Sequence, residues 1–175
     1  MKYIGIFCSA SDLNKKYTDP ACILAEKLAL SGYDLVWGAS DRGLMKLIAD
    51  AVQTAGRKLI GVTIDVYKDV ARETIDELIV AKTLGERKAT ILLRSDAIVV
   101  LVGGVGTLDE LTDVLELKKQ GMHNKPIIVL NTLNFYDGLK VQLQKMKADG
   151  FIDRDLKDLI YFADTPEDAI NYLAI

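Results

Sequence analysis

One stretch of this chain decides its fold: Ala97-Ile98-Val99-Val100-Leu101-Val102-Gly103-Gly104-Val105-Gly106. Its first six residues are all apolar, which is typical of a central parallel strand with helices packed on both of its faces. Glycines dominate the next four positions, and apolar residues then recur at helical spacing from Thr107 to about Gln120. A buried strand that passes through a glycine turn directly into a helix is the recurring unit of ligand-binding α/β domains.

Similar units repeat on both sides of this stretch. Apolar runs predict further strands over residues 3–8, 35–37, 59–64, 78–80, 126–130 and 159–162. Helical spacing predicts helices over residues 20–30, 44–56, 86–93, 107–120 and 135–148, with a last helix from 166. This alternation predicts an α/β fold with a Rossmann-like, doubly wound and mostly parallel sheet that carries helices on both faces. Because no repeat or Pro/Gly-rich linker divides the chain, we expect one domain over residues 1–175.

Two helix starts carry explicit signals. Asp19 as N-cap and Pro20 at the first helical position predict the start of the first helix, and Ser31-Gly32 predicts its end. Thr165-Pro166-Glu167 predicts the start of the last helix in the same way. Residues 67–74 show no clear period and are expected to form a looser connection.

Composition excludes several classes of function. The net charge of −3 comes from 22 Lys+Arg and 25 Asp+Glu scattered along the chain, so no basic stripe is present to bind a long nucleic acid. No apolar run reaches the length of a membrane span and no targeting pattern is evident, so we expect a cytoplasmic protein without membrane contact. Cys8, Cys22 and His123 do not form a metal-ligand set, so we expect no metal site.

Cys8 has two interpretations. It ends an apolar strand, where a cysteine can serve as a nucleophile, but cysteine also behaves as a small hydrophobe. A buried core thiol is the favoured interpretation.

The glycine turn is a candidate anion site. A helix that starts at the end of a buried strand presents unpaired backbone N–H groups and the positive end of its dipole at one point. Glycines let a phosphate approach that backbone closely. The alternative is a tight structural turn without a ligand. The turn lacks the Lys-Ser/Thr ending of a P-loop and the Gly-x-Gly-x-x-Gly spacing of dinucleotide sites, which favours a ligand of mononucleotide size.

Two pairs of polar residues near this turn also have two interpretations each. Thr107 and Glu110 have the spacing of a capping box, but they also share a helix face that points at the turn. Arg87 and Lys88 fit a solvated helix face, but an arginine fork also suits a phosphate, a sugar hydroxyl or a heterocycle.

At these residues the chain resembles the Lonely Guy (LOG) family, cytokinin riboside 5′-monophosphate phosphoribohydrolases long mislabelled as lysine decarboxylases. The family signature Pro-Gly-Gly-x-Gly-Thr-x-x-Glu stands here as Val102 to Glu110, with only the proline missing. Arg87-Lys88 matches the family's Arg-Lys pair. The resemblance covers residues 3–152 and includes Phe7-Cys8-Ser9-Ala10-Ser11, Gly43-Leu44-Met45, and Lys125-Pro126 with Asn131.

The resemblance implies hydrolysis of the N-glycosidic bond of a nucleoside 5′-monophosphate, AMP or an N6-modified AMP, to the free base and ribose 5-phosphate. It implies Arg87 and Glu110 as catalytic residues, and no cofactor. The nucleotide would be held by Ser9, Gly43, Lys88, Gly103, Gly104, Val105, Gly106 and Thr107. It also implies a homodimer with the site at or near the interface. A pyridoxal enzyme would need a larger fold and a Schiff-base lysine, which nothing in the sequence suggests.

The chain departs from the family pattern at several positions. Gly38-Ala39-Ser40, followed by Asp41-Arg42, replaces three glycines, and Leu84-Gly85 replaces Met-His ahead of the Arg-Lys pair. Together with Val102, these residues are expected to affect base selection or turnover. They also motivate a second hypothesis, a non-catalytic nucleotide or molybdenum-cofactor carrier, while phosphoribosyl transfer is a third.

Overall fold

A computed structural model describes residues 2–173 of the chain. Its strands form one sheet: β1 (Lys2–Phe7), β2 (Tyr33–Trp37), β3 (Leu59–Ile64), β4 (Glu77–Ala81), β5 (Ala97–Val100), β6 (Ile127–Leu130) and β7 (Tyr161–Ala163). The strand order is β4-β3-β2-β1-β5-β6-β7, and every neighbouring pair is parallel. The Rossmann-like, doubly wound sheet expected from the sequence is confirmed.

Helices cover both faces of this sheet, as expected. They are α1 (Lys15–Leu30), α2 (Gly43–Thr54), α3 (Leu84–Arg94), α4 (Val105–Lys119), α5 (Asp137–Ala148), α6 (Leu156–Leu159) and α7 (Pro166–Leu173). One hydrophobic core lies under α1, α2 and α7, and the other lies under α3, α4, α5 and α6. Among residues 2–173, no helix combines the length and the apolar character needed to cross a bilayer.

Strand β5 contributes to both cores because successive side chains of a strand point to opposite faces. Ala97 and Val99 pack under α1 and α2, whereas Ile98 and Val100 pack under α3 and α4. All four residues are buried, which explains why the strand is apolar at every position.

The chain reverses its winding direction between β1 and β5. Strands β2, β3 and β4 follow on one side of β1, and β6 and β7 follow on the other side of β5. Phe7 of β1 pairs with Val100 of β5, and Ile6 pairs with Trp37 of β2, so these strands end at the same level. The crevice beyond the ends of β1 and β5 is the place where open α/β sheets bind ligands.

Some predicted boundaries were wrong. Helix α1 begins at Lys15 because the Asn14 side chain accepts a hydrogen bond from the Lys16 N–H at 3.0 Å and caps an earlier turn. Pro20 therefore lies inside the helix, not at its first position. The strand expected over residues 159–162 begins at Tyr161, because residues 156–159 form the short helix α6. The predicted end of α1 before Gly32 and the start of α7 at Pro166 are confirmed.

The looser connection expected over residues 67–74 is partly a 3₁₀ turn, over residues 65–70. Buried Arg72 anchors the end of this connection to α2 and to the loop before it. Its guanidinium donates to Asp41 at 3.0 Å and Gln53 at 2.7 Å, and it lies 2.7 Å from Asp50. The Arg72 N–H also donates to the carbonyl of Ala39 at 2.8 Å. These contacts hold the connection beside the ends of β2 and β3.

Candidate active site

A buried ion pair joins α3 and α4 at the switch point of the sheet. Nη1 of Arg87 lies 2.8 Å from Oε1 of Glu110, and both side chains are at most 10% exposed. Buried charges are costly unless they are paired and hydrogen-bonded, so each of these side chains requires the other. The prediction that these two residues lie together is confirmed, and the solvated helix face is wrong for Arg87.

The first turn of α3 fixes the position of Arg87. Oγ1 of Thr83 accepts a hydrogen bond from the Glu86 N–H at 3.1 Å, and the Glu86 carboxylate accepts one from the Lys82 N–H at 2.8 Å. This arrangement resembles a capping box, except that the Glu86 carboxylate binds the N–H of Lys82, the residue before the N-cap Thr83. Arg87 directly follows Glu86, so the cap fixes its position.

Strand β3 and the residue that follows β2 complete the environment of the Arg87 guanidinium. Its Nε donates to the carbonyl of Val62 in β3 at 2.9 Å. A side chain at Gly38, which follows β2, would place its Cβ only 2.0 Å from Nη2 of Arg87. The guanidinium therefore occupies space that exists because residue 38 is glycine.

Glu110 does not cap α4. The helix begins at Val105, two residues earlier than expected, with Gly104 as N-cap and no side-chain cap, so the capping box at Thr107 and Glu110 is wrong. Burial raises the pKa of the Glu110 carboxyl above its ordinary value, and the nearby Arg87 opposes this shift. Within residues 2–173, no hydrogen bond to Oε2 of Glu110 is present.

The glycine turn leaves its backbone open. A Cβ at Gly103 would lie 2.1 Å from Oγ1 of Thr107, so the threonine hydroxyl packs directly over that glycine. Because α4 begins at Val105 without a side-chain cap, its first N–H groups lack partners within the helix. A Cβ at Gly104 or at Gly106 would meet no atom within 4 Å, so the space beside these two residues is open.

A cavity of about 610 Å³ lies beyond these strand ends, large enough for a mononucleotide. Seven of the residues predicted to form the site line it, namely Ser9, Arg87, Lys88, Gly104, Gly106, Thr107 and Glu110. Gly43, Gly103 and Val105 do not line it. Val105 is 85% exposed on the outer side of α4, and Gly103 lies beneath Thr107.

Gly43 has a different position from the one expected. It has a φ of +52°, and a Cβ there would lie within 2.4 Å of the carbonyls of Ala10 and Ser11. The N–H groups of Leu44 and Met45 donate to the carbonyls of Ser11 and Ser9. Gly43 therefore allows the loop after β1 to pack against the start of α2.

Sequence reasoning missed part of the cavity wall. Tyr67 and Val70 line it from the connection between β3 and β4, which has no periodic signal. Met45, Arg42 and Leu84 line it as well. Arg42 and Leu84, which depart from the family pattern and were expected to affect base selection or turnover, do lie in this wall.

Cys8 is a core residue that also reaches the cavity. It is 2% exposed and packs in the core under α1 and α2. Burial raises the pKa of its thiol strongly, and Glu110 adds to the shift. A thiol held in its protonated form is a poor nucleophile, so the interpretation as a core thiol is favoured.

Lys88 binds two carboxylates on α4. Its ammonium lies 3.1 Å from Asp109 and 3.2 Å from Asp113. Burial alone would lower the pKa of Lys88, but the hydrogen bonds to the two aspartates outweigh it and raise the pKa. Lys88 is therefore held as a cation beside the cavity.

The departure at Ala39 has a structural cost. Ala39 is fully buried with a φ of +64°, in the left-handed region that favours glycine. A Cβ added at Gly61 would lie only 2.7 Å from the Cβ of Ala39, so β3 has no room for a side chain at position 61. At Ser40, a backbone bridge to Ala71 ties this loop to the connection that carries Tyr67.

These features define a Rossmann-like α/β fold with a charged cavity at the switch point of its sheet. A family model described as possible lysine decarboxylase matches residues 45–173. A cytokinin riboside 5′-monophosphate phosphoribohydrolase of Arabidopsis thaliana is 35% identical over 173 residues, covering 97% of this chain and 80% of that protein. The protein of that name from Mycobacterium marinum is 32% identical, covering 98% of this chain and 92% of its own length. The chain belongs to this family, the Lonely Guy family.

Solved structures show the same fold at lower identity. The molybdenum cofactor binding protein of Rippkaea orientalis superimposes with a TM-score of 0.77 and 22% identity, covering 99% of this chain and 95% of that one. The Moco carrier protein of Chlamydomonas reinhardtii gives a TM-score of 0.74, also at 22% identity and with the same coverage. At this level of identity the likeness establishes the fold alone.

The position of Gly38 yields a sharp prediction. Gly38→Ala should displace the Arg87 guanidinium, because the new methyl group would overlap Nη2, and should lower nucleotide hydrolysis about 100-fold. Gly138→Ala is the matched control, since a Cβ there meets nothing within 4 Å, and it should leave the rate unchanged. Steady-state kinetics with thermal unfolding measures both effects. Equal rates in the two variants would show that the chain does not need Arg87 at this position.

Proposed function

We propose that the chain hydrolyses the N-glycosidic bond of a nucleoside 5′-monophosphate, AMP or an N6-modified AMP, to a free base and ribose 5-phosphate. The observation that carries the proposal is the buried pair of Arg87 and Glu110, which borders a nucleotide-sized cavity next to an uncapped helix start. The names of the relatives from Arabidopsis thaliana and Mycobacterium marinum support it.

Each part of the cavity suits one part of this substrate. The N–H groups at the start of α4, together with the Thr107 hydroxyl, suit the 5′-phosphate because they are donors at the positive end of a helix dipole. Gly104 and Gly106 leave room for it to approach. Ser9 and Lys88 border the same cavity from the end of β1 and from α3, and they add polar contacts.

Glu110 and Arg87 suit the chemical step. Breaking the N-glycosidic bond builds positive charge on the ribose, which a nearby carboxylate stabilises electrostatically while it orients or activates a water molecule. The base leaves with excess electron density, which a hydrogen bond from the Arg87 guanidinium stabilises. Oε1 of Glu110 is bound to Arg87, so Oε2 is the oxygen available to the ribose or the water.

The remaining cavity wall suits the base. Met45, Tyr67, Val70 and Leu84 supply apolar and aromatic surface, and Arg42 supplies a cation. Within residues 2–173, the Arg42 guanidinium makes no ion pair, so its N–H groups can donate hydrogen bonds to a ligand in the cavity.

The description of the family model as possible lysine decarboxylase does not fit this cavity. A Schiff-base lysine must lose its proton, and such lysines have a lowered pKa. Lys88, the lysine that lines the cavity, has a raised pKa and is paired with Asp109 and Asp113. Pyridoxal chemistry is therefore not proposed.

Product formation tests the proposal directly. Incubation with AMP and with N6-prenylated AMP should release free base, and Glu110→Gln should lower kcat/KM by roughly 1000-fold or more while nucleotide affinity stays within about tenfold. Glu116→Gln is the control, because Glu116 is an exposed residue of the same helix that binds only Lys119 and Gln120.

Two outcomes would contradict the proposal. Tight nucleotide binding without release of base from any nucleotide would favour the carrier hypothesis instead. Equal losses of affinity and turnover in the Glu110→Gln variant would assign Glu110 to ligand binding and not to the chemical step.

The raised pKa of Glu110 predicts a particular pH dependence. If ionised Glu110 stabilises the transition state, log(kcat/KM) should fall on acidification with a midpoint above the 4.5 of an ordinary glutamate.

Burial raises the pKa of Glu110 in the folded chain above its value in the unfolded chain. The folded state therefore loses stability as the pH rises from the unfolded pKa to the folded pKa, and the loss stays constant at higher pH. A titration of the Glu110 carboxyl by NMR should give a still higher midpoint in Arg87→Met. A kcat/KM midpoint at or below 4.5 would refute the role of ionised Glu110 in the chemical step.

We propose in addition that the chain forms a homodimer through α3 and α4 beside the cavity. Apolar side chains are exposed along these helices: Leu84 at 51% and Val105 at 85% at their starts, and Leu93 at 78% near the end of α3. Large exposed apolar side chains are enriched at protein interfaces. A second copy packed against these helices would cover the cavity mouth and exclude water from it.

Sedimentation should therefore give twice the 19.3 kDa mass of one chain. Leu93→Asp should shift the protein toward monomer, because it places a charge in the apolar contact. Val141→Asp, an equally conspicuous exposed position on α5 at 63%, should not. A monomer at all concentrations, with full activity, would exclude this assembly.

A further inference from the structure

Tyr136 lies between β6 and α5 and is 5% exposed. Its hydroxyl donates a hydrogen bond of 2.8 Å to the carbonyl of Leu101. Leu101 is the first residue after β5 and is 1% exposed, two positions before the glycine turn. The proposed hydrolysis makes no use of this buried tyrosine.

The Leu101 carbonyl requires this donor because the sheet ends there. On the side of β1, the Leu101 N–H still donates to the carbonyl of Phe7 at 2.9 Å. In a regular parallel ladder the Leu101 carbonyl would then accept from the Ser9 N–H, but that N–H donates to the carbonyl of Val102 at 3.3 Å. A buried carbonyl without a donor is costly, and the Tyr136 hydroxyl satisfies this one in place of a neighbouring strand.

The segment before Tyr136 is held in an unfavourable conformation. Leu133 and Asn134 have φ angles of +54° and +61°, a region that non-glycine residues rarely adopt. Asn131 stabilises the segment, because its Oδ1 accepts the Tyr136 N–H at 2.7 Å and its Nδ2 donates to Asp137 at 2.8 Å. Backbone strain of this kind persists where surrounding contacts determine the conformation, and it is concentrated at functional sites.

Tyr136 also lies near the glycine turn. Burial raises the pKa of its hydroxyl strongly, Cys8 adds to the shift, and the nearby backbone of Gly103 opposes it. The hydrogen bond to Leu101 fixes the backbone two residues before Gly103, where the strand becomes the turn. Tyr136 does not line the cavity, so any effect on a ligand must pass through this backbone.

We propose that Tyr136 is a positioning residue that fixes the turn from Gly103 to Thr107 for binding of the substrate phosphate. The inference rests on the proposed function, since it assigns the phosphate to this turn. The hydroxyl holds the backbone at Leu101, directly before the bend, so the N–H groups at the start of α4 keep one orientation before the ligand arrives. Without the hydroxyl the turn gains freedom that phosphate binding must remove again.

The test is the affinity of Tyr136→Phe for ribose 5-phosphate, measured by calorimetry. This substitution keeps the buried ring and removes only the hydroxyl, so affinity should fall about tenfold. Affinity for adenosine, which has no phosphate, should remain within about twofold. In turnover of AMP, KM should rise by a similar factor while kcat changes less than about threefold.

Tyr161→Phe is the matched control. Its hydroxyl donates to Asp168 at 2.7 Å, and the residue lies in β7 and does not line the cavity. This variant loses a hydroxyl and a hydrogen bond of similar length, and it should bind ribose 5-phosphate like the unmodified chain.

Several results would overturn the inference. Unchanged affinity for ribose 5-phosphate in Tyr136→Phe would do so, and so would equal losses for ribose 5-phosphate and adenosine, which indicate a general structural defect. If the unmodified chain does not bind ribose 5-phosphate, the proposed function fails together with this inference. Binding by the unmodified chain with no effect of the variant rejects the inference alone.

If Tyr136→Phe does not fold, NMR hydrogen exchange on the unmodified chain replaces it. Ribose 5-phosphate should slow exchange of the Tyr136 hydroxyl proton together with the amides of Gly103 to Thr107. Slower amide exchange with an unchanged hydroxyl proton would show that the turn responds to phosphate independently of Tyr136.

Discussion

The arrangement of the site depends on one buried ion pair, between Arg87 and Glu110. The pair joins two helices that come from consecutive βα units and that flank the central strand β5. In the low-dielectric interior neither charge is tolerable alone, so folding must bring the two side chains together before the site exists. The same pairing has a functional consequence: the carboxylate is held beside the cavity in a poorly solvated position, where its charge acts over a short distance with little screening.

The absence of side chains is as important to this site as their presence. Gly38 leaves the volume that the Arg87 guanidinium occupies, and Gly103 leaves the volume that the Thr107 side chain occupies. Each glycine therefore sets the position of a side chain that lines the cavity from another element. At Ala39 the chain instead accepts a left-handed backbone with a side chain, and Gly61 in the adjacent strand accommodates its methyl group. The replacement of the family's glycine by Ala39 is thus compensated by Gly61 inside the core, away from the ion pair of Arg87 and Glu110.

The cavity is assembled from segments with very different local order. The start of α4 and the ends of β1 and β2 are parts of the sheet and its helices, which are fixed by two hydrophobic cores. The wall that carries Tyr67 and Val70 belongs to a short connection with no buried residues of its own between 65 and 70. Arg72 fastens that connection to α2 through charged and polar partners. A wall held by polar contacts at one end is easier to alter than the core, so substitutions there can reshape the cavity without disturbing the sheet.

Local sequence determined the strands, most helices and the order in which they alternate, because apolar spacing reports directly which residues are buried. It also located the glycine turn, and its resemblance to the Lonely Guy family identified Arg87 and Glu110. Sequence could not distinguish a capping glutamate from one that faces the turn: both interpretations were open for Thr107 and Glu110, whereas the capping arrangement lies at Thr83 and Glu86. Capping depends on contacts within one helical turn, whereas the pairing of Glu110 joins two helices. Only the tertiary structure decides such long-range contacts, because they arise from how the elements pack and not from the spacing of residues within any one of them.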